Sequence, residues 1–83
     1  MPAARVQDKQ VRLLGEALRS RRKALGISQE ELADKAGLHR TYVSDVERGT
    51  RNVTVKNLFR LATALQIPAS TLIRHAEARK GSK

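Results

Sequence analysis

Residues 28–49 read Ser28-Gln29-Glu30-Glu31-Leu32-Ala33-Asp34-Lys35-Ala36-Gly37-Leu38-His39-Arg40-Thr41-Tyr42-Val43-Ser44-Asp45-Val46-Glu47-Arg48-Gly49. Ser28 with Glu31 three residues on is a capping box: each side chain satisfies a backbone N–H that the start of a helix leaves free. Leu32, Ala33 and Ala36 give the helix one apolar face, and Gly37 stops it. Leu38 follows as an apolar plug. A second helix is predicted from Arg40 to Arg48, with Val43, Val46 and Glu47 inward and Gly49 as its stop. The segment is therefore two short helices joined by a tight turn that contains glycine.

Outward from this pair the helical period continues on both sides. Before it, Leu14, Leu18 and Leu25 recur at spacings of four and seven, with Arg22 in the intervening slot. Gly15 within that run weakens a helix by about 0.5–1 kcal/mol relative to alanine. Gly26 is placed to end it in the left-handed conformation, with Ile27 folding back as an apolar contact. After the pair, Thr50-Arg51-Asn52 is a polar loop, and Thr54 caps a helix whose inner face is Val55, Leu58, Leu61, Ala62 and Leu65. Ile67-Pro68 ends it, since the residue before proline avoids the helical region. A last helix is expected over residues 70–79, carrying Leu72, Ile73 and Ala76. No alternating β-branched and aromatic run predicts a strand. The expectation is an all-α, compact five-helix bundle. A loose arm over 1–9 precedes a single domain over 10–79, and a basic tail over 80–83 follows it.

Composition narrows the classes of function. At 83 residues the chain is one small domain, and such a domain buries only about 60% of its unfolded surface. It has no cysteine and two histidines, His39 and His75, well separated in sequence. Disulfides are excluded, a zinc site has too few ligands, and no cofactor is expected. No apolar run approaches the ~18 residues of a membrane span, and Met1 to Lys9 holds no apolar signal region. The expected setting is the cytoplasm, with no membrane partner. The net charge of +9 points to a polyanion. Its distribution is uneven: residues 1–27 and 53–83 each carry +5, and residues 28–52 carry −1. Tyr42 and Phe59 are the only aromatics, too few for the stacking platform that single strands need. Double-stranded DNA is the expected partner. No paired catalytic carboxylates, nucleophilic cysteine or phosphate loop suggests an enzyme.

The paired helices say how DNA would be met. In a helix-turn-helix the first helix braces across the backbone and the second lays its N-terminal end in the major groove. The inner faces must be apolar and partly small, which Ala33 and Gly37 provide. The outer face must begin with short polar or forked basic side chains. Arg40, Thr41, Ser44 and Asp45 occupy it. The arginine fork matches the two major-groove acceptors of guanine, and a good bidentate pair discriminates by about 1–3 kcal/mol. Thr41 can offer a hydroxyl or a methyl group, and Ser44 can bond either way. Asp45 either accepts from a cytosine amino group or repels wrong registers.

From Ser28-Gln29-Glu30-Glu31-Leu32-Ala33 through Tyr42-Val43-Ser44-Asp45-Val46-Glu47-Arg48-Gly49 the chain resembles the phage-repressor and Cro-like helix-turn-helix family, also called the xenobiotic-response-element family. The likeness runs from about Leu14 to Leu72 and implies a lambda-repressor-like fold with helices 2 and 3 as the reading unit. It implies that Gln29 contacts a phosphate and supports the base-reading arginine, and that Arg40, Thr41, Ser44 and Asp45 read bases. It also implies an internal ion pair between Arg22 and Glu47. Within the family, Leu38 to Ser44, Arg48, and Arg51-Asn52-Val53-Thr54-Val55 are similar to the controller proteins of restriction–modification systems. That likeness implies DNA backbone contacts from Tyr42 and Arg51, with Lys56 beside them, while Asn52 and Thr54 shape the loop or meet phosphate. His39 departs from the Ser, Thr or Asp that the family favours at its cap position, and Asp45 adds an acid to the reading face.

Such proteins are dimers on paired operator sites, and the likeness implies a homodimer on a pseudo-palindromic operator. Leu72, Ile73 and Ala76 of the fifth helix are the expected dimer contacts, and Phe59 is open to either core or dimer contact. RNA polymerase is a candidate partner, through Glu30, Glu31 and Asp34. A different class of function would be an antitoxin that neutralises a toxin and regulates its own synthesis through the same two helices.

Overall fold

Asp8 opens the first helix: its carboxylate accepts from the backbone N–H groups of Gln10 at 2.7 Å and Val11 at 3.4 Å, two of the donors that a helix start leaves free. In the computed structural model, which describes residues 8–79, α1 spans Lys9–Ala24, α2 Gln29–Ala36, α3 Arg40–Glu47, α4 Val55–Ala64 and α5 Ala69–Ala78. No strand occurs among the described residues. The five-helix, all-α architecture is as expected. The boundary of the expected arm moves, because the cap and not the apolar period sets the start, so Lys9 is helical. The rest of the arm, residues 1–7, and the tail, 80–83, lie outside the described residues.

Ser28 and Glu31 form the predicted capping box, with Glu31 N–H donating to Ser28 Oγ at 3.0 Å and Ser28 N–H to Glu31 Oε1 at 2.8 Å. Four helices end alike. After α2, Gly37 N–H donates to Asp34 O and Leu38 N–H to Ala33 O, the paired bonds of a Schellman turn. Gly37 sits at φ +74, where a Cβ is strained, and this sharp turn sets the angle between α2 and α3. After α4 the same bonds form around Gln66, a non-glycine residue at φ 62.

The core gathers one face from every helix. Leu18, Leu32, Val43, Leu61, Leu65 and Leu72 are its fully buried members. In it α1 packs on α3 and α5, α2 on α3 and α4, and α4 on α5. Burial of this apolar surface, at about 25 cal/mol per Å², is the main stabilising contribution.

Several side chains lie elsewhere than the sequence predicts. On α1, Leu13 and Ala17 enter the core while Leu14 is only half-buried, because contact with α5 on one side and α3 on the other rotates the buried face. Val55 was expected inward and is 70% exposed; it shares an outer stripe with Phe59, one turn on. Leu72 and Ala76, expected at a dimer contact, are 0% and 7% exposed within one protomer. They belong to the core of the protomer. Ile73, 100° around the helix from Leu72, stays 40% exposed, and Phe59 is outside the core at 58%. Arg21 donates from Nε to the Leu65 carbonyl at 2.9 Å, where it satisfies a free acceptor at the end of α4.

Candidate nucleic-acid interface

The α2–α3 unit presents one edge of α3 outward. From behind, Leu32, Ala33, Val43 and Val46 are all buried, while Arg40 and Thr41 at the start of α3 are exposed. Ser44 and Asp45 follow on the same edge, half-buried. His39, extended at φ −83, occupies the cap position without a side-chain cap bond. The start of α3 therefore keeps free backbone N–H groups at the end that would enter a groove.

The orientation of α3 is held by an ion pair. Arg22 Nε donates to Glu47 Oε2 at 2.7 Å and Nη2 to Oε1 at 3.1 Å, while Nη1 donates to the Ile27 carbonyl at 2.9 Å. Both side chains are buried. The hydrogen bond to Glu47, opposed by burial and aided by the Glu47 charge, raises the Arg22 guanidinium above its ordinary pKa. Gln29 joins the pair, its Nε2 donating to Glu47 Oε1 at 3.0 Å. The pair expected from the family likeness is present. The Gln29 side chain, expected at a phosphate, turns its amide nitrogen toward Glu47, whose Oε1 accepts a second hydrogen bond beside that from Arg22.

Gly15 supplies a contact that the sequence reading passed over. A Cβ there would lie 2.3 Å from the Val46 carbonyl oxygen and 2.8 Å from that of Glu47, so α1 crosses the end of α3 backbone against backbone. Sequence alone offers only a helix-weakening residue at this position.

Beyond Ser44 the edge continues into a polar cluster. Arg48 Nη1 donates to Ser44 Oγ at 2.8 Å, and its Nη2 pairs with Asp45 Oδ1 at 2.5 Å. Arg51 Nη2 approaches Asp45 Oδ2 at 3.5 Å, and its guanidinium lies 5.1 Å from the centroid of the Tyr42 ring, a cation–π distance. Asn52, Thr54 and Lys56 are exposed beyond the loop. Thr54 Oγ1 accepts from Asn57 N–H at 3.1 Å and so caps α4. Arg48, not among the expected site residues, joins this cluster by its spacing of four from Ser44 and three from Asp45. Among the described residues no cluster of three or more potential metal ligands occurs, and no helix is long and apolar enough to cross a membrane.

These features define a helix-turn-helix with an open, partly basic reading edge. The chain belongs to the helix-turn-helix family of DNA-binding transcription regulators, the xenobiotic-response-element-like proteins, whose model matches residues 18–72. It is similar to Control protein C.SmaI of Serratia marcescens, 48% identical over 61 residues that make up 74% of this chain and 73% of that protein. It is also similar to Control protein C.BamHI of Bacillus amyloliquefaciens, 49% identical over 47 residues, 57% of this chain and 58% of that one. Among solved structures, the restriction-modification controller protein C.AhdI from Aeromonas hydrophila superposes with a TM-score of 0.74 at 50% identity, over 75% of this chain and 94% of that one.

Proposed function

We propose that the chain acts as a homodimer on a pseudo-palindromic operator and serves as the controller of a restriction–modification system. The observation that carries the DNA reading is the contrast on α3: Val43 and Val46 are locked against α2, and Arg40 and Thr41 are free. Arg40, Thr41 and Ser44 read base edges in the major groove. Arg51, Asn52, Thr54 and Lys56 meet the phosphate backbone and fix the register; Gln29 joins them through the amide N–H not given to Glu47, and Tyr42 once DNA binding uncovers its hydroxyl. The setting follows from the likeness to C.SmaI, C.BamHI and C.AhdI.

A second copy docks through the exposed apolar side chains Val55, Phe59 and Ile73, which a lone protomer would otherwise leave in water. Two-fold symmetry then sets the reading helices about 34 Å apart, one turn of DNA, and requires half-sites at that spacing. Exposed Glu30, Glu31 and Asp34 on α2 are the surface offered to RNA polymerase. The protein acts in the cytoplasm, as a binding protein with no chemistry of its own. No feature of the fold favours the antitoxin alternative.

The test is selection of duplexes from a random library by the full chain, followed by gel shifts at several salt concentrations. The expected product is an inverted repeat bound far more tightly than its scrambled version, with a steep salt slope. Equal affinity for both duplexes would sink the proposal.

A further inference from the structure

We propose that Asp45 reads no base but positions two arginines, and that Arg48 is a further specificity-determining residue that reaches base edges beyond those met by Arg40. The inference rests on the DNA-reading role of α3 argued above.

Both oxygens of the Asp45 carboxylate are engaged within the chain, Oδ1 by Arg48 and Oδ2 by Arg51. The Asp45 side chain is 20% exposed, whereas those of Arg48 and Arg51 are 61% and 50% exposed. A cytosine amino group would compete with a guanidinium at either oxygen. The Asp45 backbone is tied as well, its carbonyl accepting from Thr50 N–H at 3.0 Å and Thr50 Oγ1 at 3.1 Å. The carboxylate is thus a fixed mount with two cations projecting from it.

Arg48 is held on two sides, by Ser44 Oγ and by Asp45. Two of its five guanidinium N–H groups are used this way, and the rest remain for a ligand. A long side chain that is already ordered loses less freedom on binding, and a fork of fixed aim suits the paired acceptors of guanine. Helical spacing puts Arg40, Ser44 and Arg48 on one stripe. From Arg40 to Arg48 the rise is about 12 Å, roughly three to four base-pair steps, so the two arginines face different base pairs. The charge of Asp45 also lowers the attraction of both cations for phosphate in general, which favours the correct site over bulk DNA.

The test uses the full chain and the duplex that wild-type protein selects from a random library. Asp45→Ala, Arg48→Ala, the double variant and Asp45→Asn are measured on that duplex and on each of its single-base-pair replacements. Thermal melting confirms that they fold, since exposed ion pairs contribute little to stability. Arg48→Ala is expected to lose about tenfold discrimination at one base pair per half-site, different from that of Arg40→Ala. Asp45→Ala should weaken preference at the same base pair and add little in the Arg48→Ala background. Asp45→Asn should bind scrambled duplex more tightly than wild type does. The proposal is overturned if Arg48→Ala weakens every duplex equally, if the two losses add, or if Asp45→Ala changes preference at a base pair that Arg48→Ala leaves intact. Failure of the wild type to select any duplex removes both this inference and the DNA-reading role; selection followed by additive losses removes this inference alone.

Discussion

Gly15 meets the carbonyl oxygen of Val46 so closely that a Cβ on it would stand 2.3 Å away. Both the clashing atoms are backbone, so no side-chain rotation relieves the contact. Helix propensity alone favours alanine at this position by about 0.5–1 kcal/mol. The crossing reverses that sign: Gly15→Ala should destabilise the fold by about 1–3 kcal/mol, which lowers the Tm by several degrees in a domain of this size. Thermal melts decide it, and a Tm at or above wild type would show that the α1–α3 crossing has slack.

The Arg22–Glu47 pair should be worth little as a pair and much as a set of partners. Glu47→Gln or Arg22→Met leaves one buried charge uncompensated, with an expected loss of about 3–5 kcal/mol. Replacing both by apolar residues should recover most of it in urea titrations. The Arg22 pKa is raised in the fold. Its contribution is therefore complete below the ordinary arginine value and is lost only as pH rises through the higher folded one. Melts across the neutral range should show no pH dependence traceable to Arg22.

Tyr42 carries its hydroxyl buried without a hydrogen-bond partner among the described residues. A buried unpaired hydroxyl disfavours folding by about 1–3 kcal/mol. Tyr42→Phe should leave stability unchanged or raise it, while keeping the ring beneath Arg51. If the phenol also contacts DNA, the same variant loses operator affinity with no loss of Tm. A clear fall in Tm would mean that the hydroxyl is satisfied in solution.

Arg40 and Lys56 should fail differently. Arg40→Ala removes an exposed side chain and should keep the Tm while relaxing preference at one base pair by about 1–3 kcal/mol. Lys56→Ala should weaken selected and scrambled duplexes alike and reduce the salt slope by about one. Equal behaviour of the two variants would contradict the division into base readers and backbone contacts.

Phe59 and Leu72 separate dimer from core. Phe59→Glu, at a residue 58% exposed, should leave a folded protein that sediments as a monomer and binds single half-sites weakly. Leu72→Ala, at 0% exposure, should lose about 2–5 kcal/mol of stability. A Phe59→Glu protein that remains dimeric would place the interface elsewhere.

Local chemistry made most of the fold legible before any coordinates. The capping box at Ser28 and Glu31, the Gly37 turn, the Thr54 cap and the break before Pro68 each act within a few residues, so their meaning is complete in the sequence. The outward edge from Arg40 to Ser44 is legible for the same reason, since helical spacing alone places it away from Val43 and Val46. What required tertiary structure was every choice between distant partners. Gly15 reads as a weak helix former until Val46 lies against it, and Leu72 reads as a dimer contact until the packing of α5 on α1 and α4 leaves it buried. Asp45 reads as an acid that accepts from a base or repels wrong registers, and only the fold brings Arg51 as well as Arg48 to its carboxylate. Periodicity reports which way a residue points along its own helix, and only packing determines what it finds there.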